Sequence, residues 1–329
     1  MNHANKMRPR YLFVAISSSL CHFGIAMKLN QIRDVIAVAE RGSLRSAARH
    51  LGIAQPAITR SIRELEHELG VTLFERHVTG AALTPMGKAF LRRATAIQLE
   101  LQRTKDEIQQ LKGLKTGSVA VGLSTAPHVA LLPRVLTPFM HSFPEVQLKF
   151  VESLFPAIEA DLNDGSIDFY VGPLAEDPLS SEFAVEKLFD NHRVIVGRRN
   201  HPLIHAQSLA DLVHSKWVAT SVTVSSGAEL DPVFKRFGLP SPAIAAKAQT
   251  ALSMVTIAAY SDLLAMLPRQ WLDFIANTEL LHHFTIREEL VAPPICVVRR
   301  ARLPLTPAAE HLCDLFRRAA GHHVRASQV

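Results

Sequence analysis

With 329 residues, 48% of them apolar and 20% charged, the chain is long enough for two or three domains with cores of their own and too apolar for a disordered tail. Its net charge of +6 is uneven: residues 27–113 hold 14 Lys/Arg against 9 Asp/Glu, whereas residues 114–329 hold 19 against 21, so the basic excess belongs to one module, as a nucleic-acid partner would require. Three cysteines (Cys21, Cys296 and Cys313) share no metal-ligand or redox spacing, which argues against a disulfide framework.

Residues 1–26 place Lys6, Arg8 and Arg10 ahead of a short apolar run, Tyr11 to Ile16. They read as a weak signal peptide or as a disordered extension upstream of a start at Met27. The second reading is favoured, because MKLNQIRDV from Met27 reads as the natural beginning of a domain. The run is too short and too polar to span a bilayer, and no other stretch reads as a membrane span. Leu29 to Glu40 has helical apolar spacing with Gly42 as its stop. Gly42 to Gly70 then reads as a helix-turn-helix. Ala48 supplies the small residue where two helices cross, Gly52 the turn residue that tolerates positive φ, and Leu51, Ile53, Ile58, Ile62 and Leu65 the core beneath. Pro56 suits the first turn of the second helix. Gln55, Thr59, Arg60 and Arg63 are left on its outer face, where donors can meet a major groove; Ser43, Arg45 and Pro56 are further candidate DNA contacts. Two short extended runs about Gly80 read as a hairpin wing with Arg76 and His77 at its edge.

From Pro85 to Gly113, Phe90, Ala94, Ile97, Leu101, Thr104, Ile108 and Leu111 recur at alternating steps of four and three. One helix cannot bury such a heptad seam alone, so a partner helix is implied, with Phe90, Ala94, Ile97, Leu101, Ile108 and Leu111 as candidate dimer contacts. Beyond Ser118, strands and helices alternate. Strands are expected at 119–123, 146–151, 168–171, 194–197, 217–219, 263–266 and 295–298. Helices are expected at 129–143, 156–163, 209–213, 230–237, 251–259 and 307–318. This alternation is the mark of an α/β domain with a largely parallel sheet.

The order of helix, helix-turn-helix (AQPAITRSIRELEHELG), wing (LFERHVTGAALTPMG), heptad helix and α/β domain resembles the LysR-type transcriptional regulators from Met27 to about Arg318. Phe143-Pro144-Glu145-Val146, Leu162 with Gly165 and Asp168, His201-Pro202 and Leu267-Pro268 also resemble that family. The resemblance implies an α/β fold class with an N-terminal winged helix-turn-helix (27–85), a dimerisation linker helix (86–115) and a two-lobed, periplasmic-binding-protein-like effector domain (116–322). Lobe I would comprise 116–189 and 295–322, and lobe II 190–294. The implied protein is a cytoplasmic dimer or tetramer that reads double-stranded promoter DNA. A small anionic effector between the lobes would control it, with RNA polymerase as a further candidate partner and no cofactor or metal. Ligands in doubly wound sheets lie beyond the carboxyl ends of strands, near helix N-termini. Ser124, Thr125, Thr220, Ser221, Thr223 and Thr250 occupy such positions and resemble the family's pocket, and His128 could add positive charge. Two departures stand out. Ala54 replaces the family's serine before Gln-Pro, and Val78 and Thr79 replace its basic wing tip, shifting weight onto Arg76 and His77. The alternative is a solute-binding protein or an enzyme on the same two-lobed domain. The chain holds no G-x-S-x-G, G-x-x-x-x-G-K-[ST], H-E-x-x-H or C-x-x-C motif.

Overall fold

The computed structural model describes residues 27–77, 80–175, 180–220, 230–276 and 280–326. The chain divides into two compact units, Met1–Thr95 and Ala96–Val329; the first 26 residues lie outside the described ones. In the first unit, α1 (Leu29–Arg41), α2 (Leu44–Leu51) and α3 (Gln55–Leu69) are followed by the antiparallel hairpin β1 (Phe74–His77) and β2 (Gly80–Leu83), then by the start of α4 (Pro85–Leu111), whose residues from Ala96 on belong to the second unit. The helical period places Val35 and Val38 of α1, Ala47 and Ala48 of α2, and Ile58, Ile62 and Leu65 of α3 in one core. Gly52 ends α2 at φ 67°, and its N–H donates to Ala48 O. Ser43 caps α2 by accepting from Ser46 N–H at 3.1 Å, whereas Ala54 gives α3 no side-chain cap.

The wing is tied to this core by two side chains. Glu66 Oε1 accepts from the N–H groups of Leu73 (2.7 Å) and Phe74 (3.2 Å). Thr84 donates to Thr72 O at 2.7 Å and accepts from Gly87 N–H at 2.9 Å, so one hydroxyl closes the wing and caps α4. Gly87 has no alternative here, since a Cβ would run into the Leu73 carbonyl oxygen.

The second unit contains β3 (Thr116–Leu123), α5 (Thr125–Ala130), α6 (Leu132–Ser142), β4 (Glu145–Glu152), α7 (Glu159–Asp164), β5 (Phe169–Pro173), β6 (Phe183–Arg198), β7 (Lys216–Thr220), α8 (Asp231–Arg236), β8 (Ala243–Ala248), α9 (Ala251–Ala259), β9 (Leu264–Pro268), α10 (Trp271–Ala276), β10 (Leu281–Phe284), β11 (Val291–Arg300) and α11 (Pro307–Ala326). The strands run in the order β4-β3-β5-β11-β6-β9-β7-β8, with β10 on β6. β3 is parallel to β4 and β5, and β7 is parallel to β8 and β9. The long antiparallel strands β6 and β11 join these two parallel groups. Strand alternation sends Phe169 and Val171 to one face and Tyr170 to the other. In the second half, Val194 and Val196 likewise oppose Ile195, and Val218 opposes Trp217. Both faces of each half-sheet are therefore covered, which explains the continuous apolar runs of the central strands.

Several elements differ from the sequence expectation. The helix expected over 129–143 is two helices, with Leu131 between them and Pro133 in the first turn of α6, where its missing N–H costs nothing. Leu209–Val213 is a 3-10 turn over Ala210–Leu212. β6 begins at Phe183, eleven residues before the expected Val194, and α11 continues to Ala326. β8, α10 and β10 were not expected at all. No helix among the described residues is long and apolar enough to cross a membrane.

Candidate functional site

The α3 surface follows from its period. Ile58, Ile62 and Leu65 face the core, leaving Gln55, Pro56, Arg60 and Arg63 exposed with Thr59 beside them. The Thr59 hydroxyl donates to Gln55 O at 2.9 Å, so it meets any further group as an acceptor. Arg45 is exposed on α2, while the Ser43 oxygen serves first as the α2 cap. On the wing, His77 is exposed, with Nε2 3.8 Å from Glu75 Oε2. Arg76 pairs with Ala81 in the hairpin register, but its side chain, like Val78 and Thr79, lies outside the described residues.

The heptad stripe of α4 has two fates. Phe90 and Ala94 pack within the first unit against Ile32 and Ile36 of α1, Ala94 being buried. In the second unit Ile97, Leu101, Ile108 and Leu111 are exposed, Leu111 at 72%. The polar side of the same helix is bonded to the α/β domain. Arg103 Nε donates to Asp168 Oδ1 at 2.8 Å, and its guanidinium also reaches Gly165 O. Glu100 pairs with Arg103 (2.6 Å) and Arg300 (2.7 Å). Burial raises the Glu100 carboxyl, but the two guanidinium groups outweigh it and hold the group below the usual carboxylate range. Gln110 accepts from Ala308 N–H at 2.9 Å and donates to Thr116 O at 3.0 Å.

Between the two half-sheets of the α/β domain lies a cleft with about 730 Å³ of empty space, its open mouth included. Of the hydroxyls expected there, Ser124, Thr125, Thr220 and Thr250 line it. Thr250 also caps α9, accepting from Ser253 N–H at 3.2 Å. His128 does not line this cleft. Its Nδ1 is 3.0 Å from Ser124 O, and it borders an outer groove with Leu252 and Trp271. Ser221 and Thr223 lie outside the described residues. The cleft is also lined by groups that the sequence reading missed: Asn191 and Arg193 on β6, Gln249, Glu152, and an apolar wall that includes Met254, Met266 and Leu267. Asn191 and Arg193 are two apart, so strand alternation turns them to the same face. They were hidden in a segment taken for a lobe crossing.

Cys296 and Cys313 are buried, and burial raises both thiols, Cys313 to about 12, so neither is poised as a nucleophile. No group of three His, Cys, Asp or Glu that could hold a metal ion occurs among the described residues.

Comparison with known families adds two matches. Residues 29–88 match the bacterial regulatory helix-turn-helix of the LysR family, and residues 112–321 match the LysR substrate binding domain. The chain belongs to the LysR family. It is a DNA-binding transcriptional regulator with a substrate-binding domain. Among curated relatives, this LysR-family chain is 25% identical over 302 residues to the HTH-type transcriptional regulator GbpR of Azospirillum brasilense, covering 91% of this chain and 88% of the relative. It is 27% identical over 299 residues to the SDS degradation transcriptional activation protein of a Pseudomonas species, covering 88% and 95%. Among solved structures, the LysR family regulator CbnR has a TM-score of 0.67 at 24% identity, covering 89% of this chain and 99% of CbnR. CbnR has also been solved with its target DNA.

Proposed function

We propose that this LysR-family regulator binds promoter DNA through the α3 face and the wing, and that a small organic anion held in the cleft switches it. In this reading Gln55, Thr59, Arg60 and Arg63 meet base edges. Ser43, Arg45, Pro56, Arg76 and His77 position the module on the backbone. The domain limits are 27–85, 86–115 and 116–322. The chain works in the cytoplasm as a dimer or tetramer through Ile97, Leu101, Ile108 and Leu111, with RNA polymerase as a further partner.

The observation that carries the reading is the cleft lining: Arg193 and the hydroxyls of Thr125, Thr220 and Thr250 around an apolar wall. A ligand site needs this composition, mostly apolar with a few polar groups that fix orientation. Its cation favours an anionic head, and the exposed Glu152 at its border disfavours a second one. One relative's name ties it to degradation of SDS, an amphiphilic anion. Ser124 belongs to the same lining, His128 borders the neighbouring outer groove, and Ser221 and Thr223 follow Thr220 in the chain.

The test is fluorescence anisotropy of residues 27–329 on the intergenic DNA beside its own gene, against a scrambled duplex, over a salt series. Specific binding tighter by about 10³ or more, weakening linearly in log salt, is expected. Equal affinity for both duplexes overturns the promoter reading.

A further inference from the structure

Among the described residues, two buried polar atoms of the cleft lining lack a hydrogen-bond partner, Ser124 Oγ and Asn191 Oδ1, and Asn191 is the one on the strand that carries Arg193. It is 4% exposed, yet its side chain makes no hydrogen bond among the described residues, and Oδ1 is both buried and unpartnered. Buried polar groups are bonded in the great majority of cases, and one left open costs stability. Its backbone has ordinary reasons to be where it is, since β6 pairs Asn191 with Ala292 of β11. The side chain has no such reason. A valine or leucine would suit a strand flanked by Phe189 and Val194. Two residues on, Arg193 lines the same cleft, with one guanidinium nitrogen 3.9 Å from Met266 Sδ. Successive same-face positions on a strand are about 6.6 Å apart. The cleft lining thus holds a cationic side chain and, one strand repeat away, an amide with an open acceptor, together with the apolar Met254, Met266 and Leu267.

We infer that Asn191 selects the effector: the cleft takes an organic anion whose head meets Arg193 and whose hydroxyl or amino group, several bonds away, donates to Asn191. The inference rests on the cleft being the effector site, and it adds a specificity residue to that site. An acid without the donor leaves the amide open in the complex, as it is in the free protein. An acid with the donor closes it. A site built this way rejects analogues that lack the group more strongly than an apolar pocket rejects a missing methylene.

Two measurements on the full chain test this. The first needs no ligand. Asn191→Leu is expected to raise the melting temperature of the free protein by about 2 °C or more, because it removes an open buried acceptor, keeps the branched four-atom skeleton and can extend its larger methyl groups into the open cleft. A lowered melting temperature overturns the inference, since the amide would then be a structural group. The second uses matched acids, with and without a donor: benzoate and 4-hydroxybenzoate, hexanoate and 6-hydroxyhexanoate, butyrate and 4-aminobutyrate. In thermal-shift titrations the donor-bearing member of the pair that fits is expected to bind about tenfold tighter or more. Asn191→Leu is expected to erase that preference, and Arg193→Ala to weaken both members. Equal binding of both members, with Arg193→Ala still weakening them, overturns the role of Asn191 and leaves the cleft reading standing. Binding indifferent to both substitutions overturns the cleft as the site. No shift from any acid overturns both.

Discussion

Replacing Arg103 with alanine is expected to lower the melting temperature of the α/β domain by about 4 to 12 °C. The Asp168 side chain is 8% exposed, and its two oxygens are used separately: Oδ1 accepts from Arg103 Nε at 2.8 Å and Oδ2 from Ala120 N–H at 2.8 Å. Arg103, 16% exposed, also holds Glu100 and the Gly165 carbonyl. Breaking a buried pair by removing one partner costs about 3–5 kcal/mol when the remaining charge is stranded. Here Asp168 keeps the Ala120 N–H and Glu100 keeps Arg300, so about 2–3 kcal/mol is the better figure. At about 2–4 °C per kcal/mol for a domain of this size, the quoted range follows. Differential scanning calorimetry of the full chain separates the transitions of the two units, and a cycle with Asp168→Asn isolates the pair. A coupling of about 1–2 kcal/mol is expected, because the residues share one contact. A fall under 1 °C, or strictly additive single effects, would refute the claim that this pair moors α4 to the sheet.

Three further outcomes are expected. Arg60→Ala, on the exposed α3 face, should weaken operator binding by about 5- to 150-fold in anisotropy titrations while leaving the sedimentation coefficient unchanged; unaltered affinity removes Arg60 from the interface. Leu101→Glu puts a charge into the exposed stripe with Ile97 and Ile108, and is expected to convert the assembly to monomer in sedimentation velocity while the circular dichroism spectrum holds. A variant that sediments as the parent excludes that stripe as an interface. Glu100 has its folded-state pKa lowered, so its contribution is full above its ordinary titration range and disappears as pH falls through the depressed value. The melting-temperature gap between the parent and Glu100→Gln is therefore expected at pH 7, should begin to narrow below about pH 4 and should close only beneath the depressed value; a gap that widens on acidification contradicts the sign.

What the sequence disclosed and what it withheld follow one physical division. Local rules were visible: Gly52 ends α2 in the left-handed region, Thr250 caps a helix that begins at Ala251, and Thr84-Pro85 opens α4. Elements that exist because of a distant backbone were not. β8 is Ala-Ile-Ala-Ala-Lys-Ala, a helix-forming composition made a strand by pairing with Lys216–Thr220. The first half of β6 carries Glu186, Lys187 and Asp190 on its exposed positions and was given no element in the sequence reading, which put only a lobe crossing near Asp190. That omission concealed the site. Hydroxyls at helix starts could be nominated because a cap and a ligand contact ask for the same residue. Asn191 and Arg193 could not, because nothing local marks a strand position that becomes a cleft wall. Only the passage of one strand through both half-sheets brings an arginine and an unsatisfied amide to face Met254 and Thr220. A polar residue in strand register, followed two positions later by a cation and then by Val-Ile-Val, is the signal that was present. An unbonded amide at that position weakens the free protein, and a cleft that must recognise a ligand is where such a weakness has a use.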